Sequence, residues 1–444
     1  MEKIPYTPGL VDFSELTLTN TDGSQTENIS DIVAELSYYE DIFSPAISCS
    51  ILLVDAISLQ ESLPIAGGEV LKLRLRAQGD DEDIAEIKTQ LQVYKTSETF
   101  YHNEKTLAYT LFSTTEELLT NEAFDRLVRE GTDEFTVHET VRNIFQNNIS
   151  KVSDKKLVIV EETEGVFNHV FPSVNPFRAM NIMCSEAKSA KNISSNFIFF
   201  ETDKGYHFVT MQQLFEKKPT ETYIYIEEIH GLQEESDLQN FKDYQKIIAV
   251  ENVSDFNLLQ SAQKGTYSGI TKTLDVLAKS FFSKSYDYSK DFKSVNNLKT
   301  DNPSLTKESI KKFTSSPMRE SFVTTNSKVS QLDYVKGFQP EMEQSFRRMQ
   351  DFEAIETAAT EQLLMQKMNV MVHGNPRLHA GDTVNLIFPE VSVTTKGQRK
   401  TNDSTSGKYL ITAVVHRVSA THKYVTLMEC VKDTQLAQPE TEEI

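Results

Sequence analysis

Apolar and polar residues alternate along the first quarter of the chain. Leu71, Leu73 and Leu75 stand between Lys72, Arg74 and Arg76, the pattern of a strand with one buried face. Residues 13–18 alternate in the same way. Ile47, Cys49, Ile51 and Leu53 alternate with Ser48, Ser50, Leu52 and Val54, so both faces of that run are partly apolar. Turn residues from Pro64 to Gly68, an acidic loop at 80–83 and His102-Asn103-Glu104-Lys105 separate the runs. Short strands at this spacing predict an antiparallel barrel or sandwich over 13–112.

The period changes near Ser113. Leu118, Leu119, Phe124, Leu127 and Val128 follow helical spacing until Gly131. Thr136-Val-His-Glu139 fits a capping box, because the hydroxyl and the carboxylate satisfy each other's orphan amides. Val137, Val141, Ile144 and Phe145 then share one helix face. Asn175-Pro176 starts another helix, since Asn caps and Pro suits the first helical position. Residues 197–201 and 206–210 flank Thr202-Asp203-Lys204-Gly205, a hairpin whose turn needs the positive φ that Gly205 allows. These elements make 114–230 a separate α+β unit. Strands follow at 157–160 and 223–228; 250–259 is strand or helix, and 265–277 is strand.

The stretch from 289 to 336 is rich in Lys, Ser, Thr and Asn. Between 284 and 348 there are 12 basic and 8 acidic residues. So long an apolar-poor stretch predicts a mobile basic arm, or one that orders on a neighbour. Met342, Phe346, Met349, Phe352, Ile355 and Ala359 recur at helical steps, which predicts a helix over 340–365. Strands return at 367–373, 383–388, 409–418 and 424–431. The tail 434–444 is acidic and expected to be disordered. The division is a first β unit (10–113), the α+β unit (114–230), a discontinuous second β unit (240–285 with 366–433) and the insertion 286–365.

Composition narrows the function. The 444 residues include 26 Phe and 16 Tyr, enough for substantial cores. A formal charge of −20 argues against a nucleic-acid reader, whose surface must neutralise phosphates. No run of about 18 apolar residues predicts a membrane span, and the first residues do not resemble a secretory leader. Cys49, Cys184 and Cys430 are too scattered for a disulfide framework or a zinc knuckle and are expected as buried thiols.

Catalytic patterns are missing. There is no Gly-rich phosphate loop and no nucleophile elbow; Gly265-Thr-Tyr-Ser268-Gly269 has the wrong spacing. His138-Glu139 opens a zincin-like pattern, but no second His follows, so helix surface is expected. His373, His379, His416 and His422 lie close together in sequence, yet each pair is six apart, wider than usual zinc spacings. The pairs Glu116-Glu117, Glu161-Glu162, Glu227-Glu228 and Glu234-Glu235 are expected on solvated faces. No catalytic, cofactor-binding or metal-ligating residue is assigned, no cofactor is implied, and the chain is not expected to be an enzyme.

Five stretches in order carry a resemblance. They are residues 43–55 (Phe43-Ser-Pro-Ala-Ile-Ser-Cys-Ser-Ile-Leu-Leu-Val-Asp55), Leu63-Pro-Ile-Ala-Gly-Gly-Glu69, residues 197–208, His379-Ala-Gly-Asp-Thr-Val384 and Gly407-Lys-Tyr-Leu-Ile-Thr412. Together the chain resembles the central baseplate hub proteins of contractile-tailed, T-even-like bacteriophages, with the nearest likeness to marine ones. The resemblance implies a β-rich α+β multidomain fold, with two tube-like antiparallel β-barrels flanking an α+β domain. It also implies a ring-forming homotrimer that adapts the hexameric tail tube to the trimeric central spike. The implied partners are the spike, tube or tube-initiator proteins, the tape-measure protein and wedge proteins, with no specific nucleic-acid binding and no membrane insertion. The implied location is the virion, after assembly in the host cytoplasm. The alternatives are a tail-associated peptidoglycan hydrolase and a receptor-binding tail component. Three copies of −20 make −60, so the ring would present an acidic channel that lets DNA pass without holding it.

Overall fold

The computed structural model describes residues 9–77, 85–123, 135–226, 243–287, 319–325, 366–389 and 401–433, with short gaps inside these stretches. The expected helix at 340–365, the tail 434–444, the continuation of the helix beyond Ala123, and the pairs Glu227-Glu228 and Glu234-Glu235 lie outside the described residues. No described helix is long and apolar enough to cross a membrane.

Most strands belong to one large sheet. Its order runs from Ile247–Ser254 through Gln366–His373, Tyr424–Lys432, Gly407–Ser419, Val33–Asp41, Ser48–Asp55, Thr106–Thr114, Glu86–Thr96, Val70–Ala77 and Val11–Thr19 to Thr26–Asn28. Every neighbouring pair along this path is antiparallel. Thr383–Ile387 pairs with Gly407–Ser419, and Glu221–Ile224 joins it in parallel. The strand path is linear, and single bridges join it back on each side: Leu10 pairs with Lys423 beside Tyr424–Lys432, and Ile224 pairs in parallel with Lys246 beside Ile247–Ser254.

The strands expected in two terminal β units are therefore joined. The seam is the pairing of Gly407–Ser419 with Val33–Asp41, from Ala413 opposite Asp41 to Ser419 opposite Glu35. Apolar burial still gathers on two sides of it. One cluster contains Leu16, Leu18, Leu36, Ile51, Leu71, Leu73, Leu75, Leu91 and Leu111. Another contains Val370, Val372, Val384, Leu386, Ile411, Val414 and Met428. The period-2 pattern supplies both: Leu71, Leu73 and Leu75 are fully buried while Lys72 is exposed.

The middle of the chain packs around a hairpin. Helix Val137–Ile144 begins with the expected capping box of Thr136 and Glu139, and helix Pro176–Glu186 begins with the Asn175 side chain accepting from the Arg178 amide. Both lie with the hairpin of Phe197–Thr202 and Gly205–Thr210. All twelve hairpin residues are buried, because each face meets a different core. Phe197, Phe199, Tyr206 and Phe208 face the helices. Ile198, Phe200 and Val209 face Ile42, Ala380, Leu410 and Val431, which belong to the two sides of the seam. Gly205 has φ +126°, and a Cβ there would stand 2.4 Å from the Lys156 carbonyl oxygen, so only glycine fits.

Two segments differ from expectation. Residues 250–259 divide into strand Ile247–Ser254 and helix Leu258–Lys264. Arg319–Thr325, inside the expected arm, is a strand pairing in parallel with Ser268–Asp275, which also pairs with Ser280–Asp287. Its Phe, Val and two Thr favour an extended backbone, a preference that the surrounding Lys and Ser hide.

Candidate functional site at the seam

The hairpin tip enters the seam beside Glu40. Tyr38 and Glu40 sit on the inward face of strand Val33–Asp41, and both are buried. The Glu40 carboxylate accepts from four places. They are the Tyr38 hydroxyl (2.9 Å), the Asp203 amide (3.1 Å), the Ala380 amide (3.0 Å) and His379 Nδ1 (3.3 Å). One side chain thus ties the first β unit to the hairpin turn and to the loop before Thr383–Ile387. A buried carboxylate is tolerable only with such donors.

Charge follows this geometry. Burial pushes the Glu40 carboxyl up, but His379, His416 and the Ala380 amide together hold it below the ordinary value. For His379, burial disfavours the imidazolium, and the Glu40 and Asp203 carboxylates more than reverse that. Asp203 is pushed up to about 6, mainly by burial. Its Oδ1 lies 3.3 Å from His379 Nδ1.

His416 positions the loop. Burial pushes it down to about 4, so the ring is neutral. Nε2 donates to the Leu378 carbonyl at 3.1 Å, and Nδ1 accepts from the Tyr424 hydroxyl at 2.7 Å. This pairing holds the backbone just before His379. Gly381, at φ +81°, completes the turn against Phe200. His207 is also pushed down to about 4 by burial; it stacks on Phe200 at 4.8 Å and meets the Thr202 hydroxyl at 3.0 Å.

A second buried node lies on the other face of the hairpin. Lys155 Nζ contacts Glu201 at 2.5 Å and Glu117 at 3.3 Å. The Ile47 amide donates to Glu201 at 3.2 Å. Burial raises the Glu201 carboxyl to about 7, against the pull of Lys155. Glu161 is a further buried acid, accepting from Ser189 Oγ (2.5 Å), the Thr210 amide (2.7 Å) and Thr210 Oγ1 (2.7 Å).

These positions correct the expectation of solvated acid pairs. Glu117 and Glu161 are buried, while Glu162 is exposed. The donors that make their burial possible come from distant residues, which adjacency in sequence does not reveal. The four His near the C-terminus do not act as one group. His379 meets two acids, His416 serves the loop, His422 packs edge-on to Phe13 at 6.2 Å, and His373 lies at Gly9. His138 bonds Thr136 and Thr163 around the helix cap. Cys49 and Cys430 are buried and Cys184 partly so, and burial raises the Cys49 and Cys184 thiols to about 12. Glu40 and Asp203 carry no local signal of importance.

No family model and no curated protein matches the chain. Among the solved structures similar to the chain are two tail proteins. One is the tail protein from Neisseria meningitidis MC58, with TM-score 0.54 and 9% identity over 94% of this chain and 97% of that one. The other is the 43 kDa tail protein of prophage MuSo2 from Shewanella oneidensis, with TM-score 0.51 and 8% identity over 94% of this chain and 98% of that one. The chain thus shares the fold of these two tail proteins, at a sequence distance where nothing beyond the fold is shared by inference.

Proposed function

We propose that this chain is the central hub of a contractile phage-tail baseplate. It forms a homotrimeric ring that adapts the hexameric tail tube to the trimeric spike and leaves a channel for DNA. The observation that carries this reading is the seam. Two groups of strands are joined in one sheet and packed against a buried hairpin, which supports the reading that a single chain offers two β surfaces. Three such chains present six units, which is the arithmetic of a three-to-six adaptor. The likeness to two tail proteins over nearly the whole chain supports the same reading.

The role is structural rather than catalytic. The buried acids bind amides, hydroxyls, one lysine and one histidine, as bracing groups do, and function lies in interfaces between copies. Spike, tube, tape-measure and wedge proteins are the proposed partners, and the virion is the proposed location. The net charge of −20 per chain suits a lumen that repels phosphate.

Light scattering with negative-stain imaging of the purified chain tests the reading. The expected result is a trimer with a central opening and pseudo-sixfold outline. A stable monomer at micromolar concentration and near-physiological salt overturns it.

A further inference from the structure

Glu40, Asp203 and His379 come from three distant stretches of chain. One carboxylate oxygen from each acid and a nitrogen of His379 lie within 4.8 Å of one another. His379 Nδ1 is 3.3 Å from Glu40 Oε1 and 3.3 Å from Asp203 Oδ1. A tetrahedral ion with bonds of about 2.0–2.1 Å spaces its ligand atoms about 3.3–3.4 Å apart. Two edges of the triangle already have the spacing of a zinc-type shell.

Two independent observations point the same way. Asp203 Oδ1 is buried and accepts no hydrogen bond, although it faces the other two ligand atoms. The ligand set is also anionic. Its two carboxylates carry −2, and the nearby cation acting on both Asp203 and His379 is Lys204, which is exposed. A divalent ion among the three would neutralise the carboxylates directly, the condition under which buried charge is least costly.

The surroundings fit an outer shell. The Tyr38 hydroxyl and the Asp203 amide hold Glu40 Oε1, and the Ala380 amide holds Oε2, which fixes the carboxylate. His416 and Gly381 set the loop that carries His379. Glu40 is closed off, whereas Asp203 keeps 11% of its side chain exposed and gives an ion its way in.

We propose that Glu40, Asp203 and His379 form a three-ligand site for a divalent transition metal of the zinc type. The bound ion would tie strand Val33–Asp41, the hairpin turn and the loop before Thr383–Ile387 into one cross-link. This inference does not depend on the hub reading, because binding is counted per chain in any oligomeric state.

The test uses the untagged full chain, stripped with EDTA and titrated with Zn2+ against a chelator of known affinity. Co2+ serves as the probe of geometry through its visible absorption. The expected result is one ion per chain with a tetrahedral Co2+ spectrum. Asp203→Asn and Glu40→Gln should each weaken Zn2+ at least tenfold, with circular dichroism confirming the fold, and exposed Glu162→Gln should leave the affinity unchanged. Absence of binding to the folded wild-type chain at micromolar Zn2+ overturns the proposal and leaves a His–carboxylate ion pair. Equal affinity in Asp203→Asn overturns it as well.

Discussion

His379 Nδ1 lies 3.3 Å from the carboxylate of Glu40, a residue 339 positions earlier in the chain. Their contact fixes the place where the two β units and the hairpin meet. Glu40→Gln should lower stability by about 3–5 kcal/mol, since it breaks a buried charged pair and takes the anionic acceptor from the Tyr38 hydroxyl and the Asp203 and Ala380 amides. Glu35→Gln on the same strand should cost about 1 kcal/mol or less. Its pair with Arg417 is roughly half exposed on both sides. Urea midpoints of the two variants check the contrast, and equal losses would count against a special role for Glu40.

Glu201 predicts a pH dependence of known sign. Its carboxyl is raised from 4.5 to about 7 in the folded chain. Between those values the folded state holds the proton more tightly, so this site loses stability as pH rises from about 4.5 to about 7. Glu201→Gln removes that loss. The melting temperature of the variant should gain on wild type between pH 5 and pH 8, by the equivalent of up to about 3 kcal/mol. A difference that stays flat over this range would contradict the assignment.

Gly205→Ala should be strongly destabilising, by more than about 2 kcal/mol, because a methyl group has no room beside the Lys156 carbonyl. Gly23→Ala is the matched control. It also has a positive φ, but nothing lies within 4 Å of its Cβ position, so its cost should be about 1 kcal/mol. Thermal unfolding of both variants measures the close approach separately from the dihedral.

Val415 lies in the middle of the seam strand, opposite Tyr39 on one side and Leu427 on the other. Val415→Pro removes a donor from a strand paired at both edges. It should cost about 3 kcal/mol or more. The loss should extend to the whole sheet, visible as faster amide exchange in both β units. Faster exchange in the C-terminal strands alone would mean that the two units unfold independently.

Local chemistry was easily read from the sequence. The Thr136–Glu139 capping box, the Asn175-Pro176 start and the hairpin around Gly205 need only neighbours a few residues apart. Period-2 burial of Leu71, Leu73 and Leu75 was equally direct. The seam was hidden because residues 407–419 alternate like any strand and carry no mark of their partner. Glu117 and Glu161 looked like surface acids, since Lys155, Ser189 and Thr210 reach them only in the folded chain. Glu40 was silent for the same reason, whereas His379 could be singled out by residue type but not by its partners.

The seam also sets a schedule for synthesis. Asp41 waits for Ala413, 413 − 41 = 372 residues later. At about 5–20 residues per second this delay is roughly 20–75 s. Throughout it, strand Val33–Asp41 can pair with Ser48–Asp55 on one side while its other edge stays open. Glu35, Glu40 and Asp41 place negative charge along that edge, which discourages pairing with a second nascent chain. A ribosome that stalls before residue 407 would therefore release a chain with an unfinished edge, and the cell must either shield that edge or degrade the fragment.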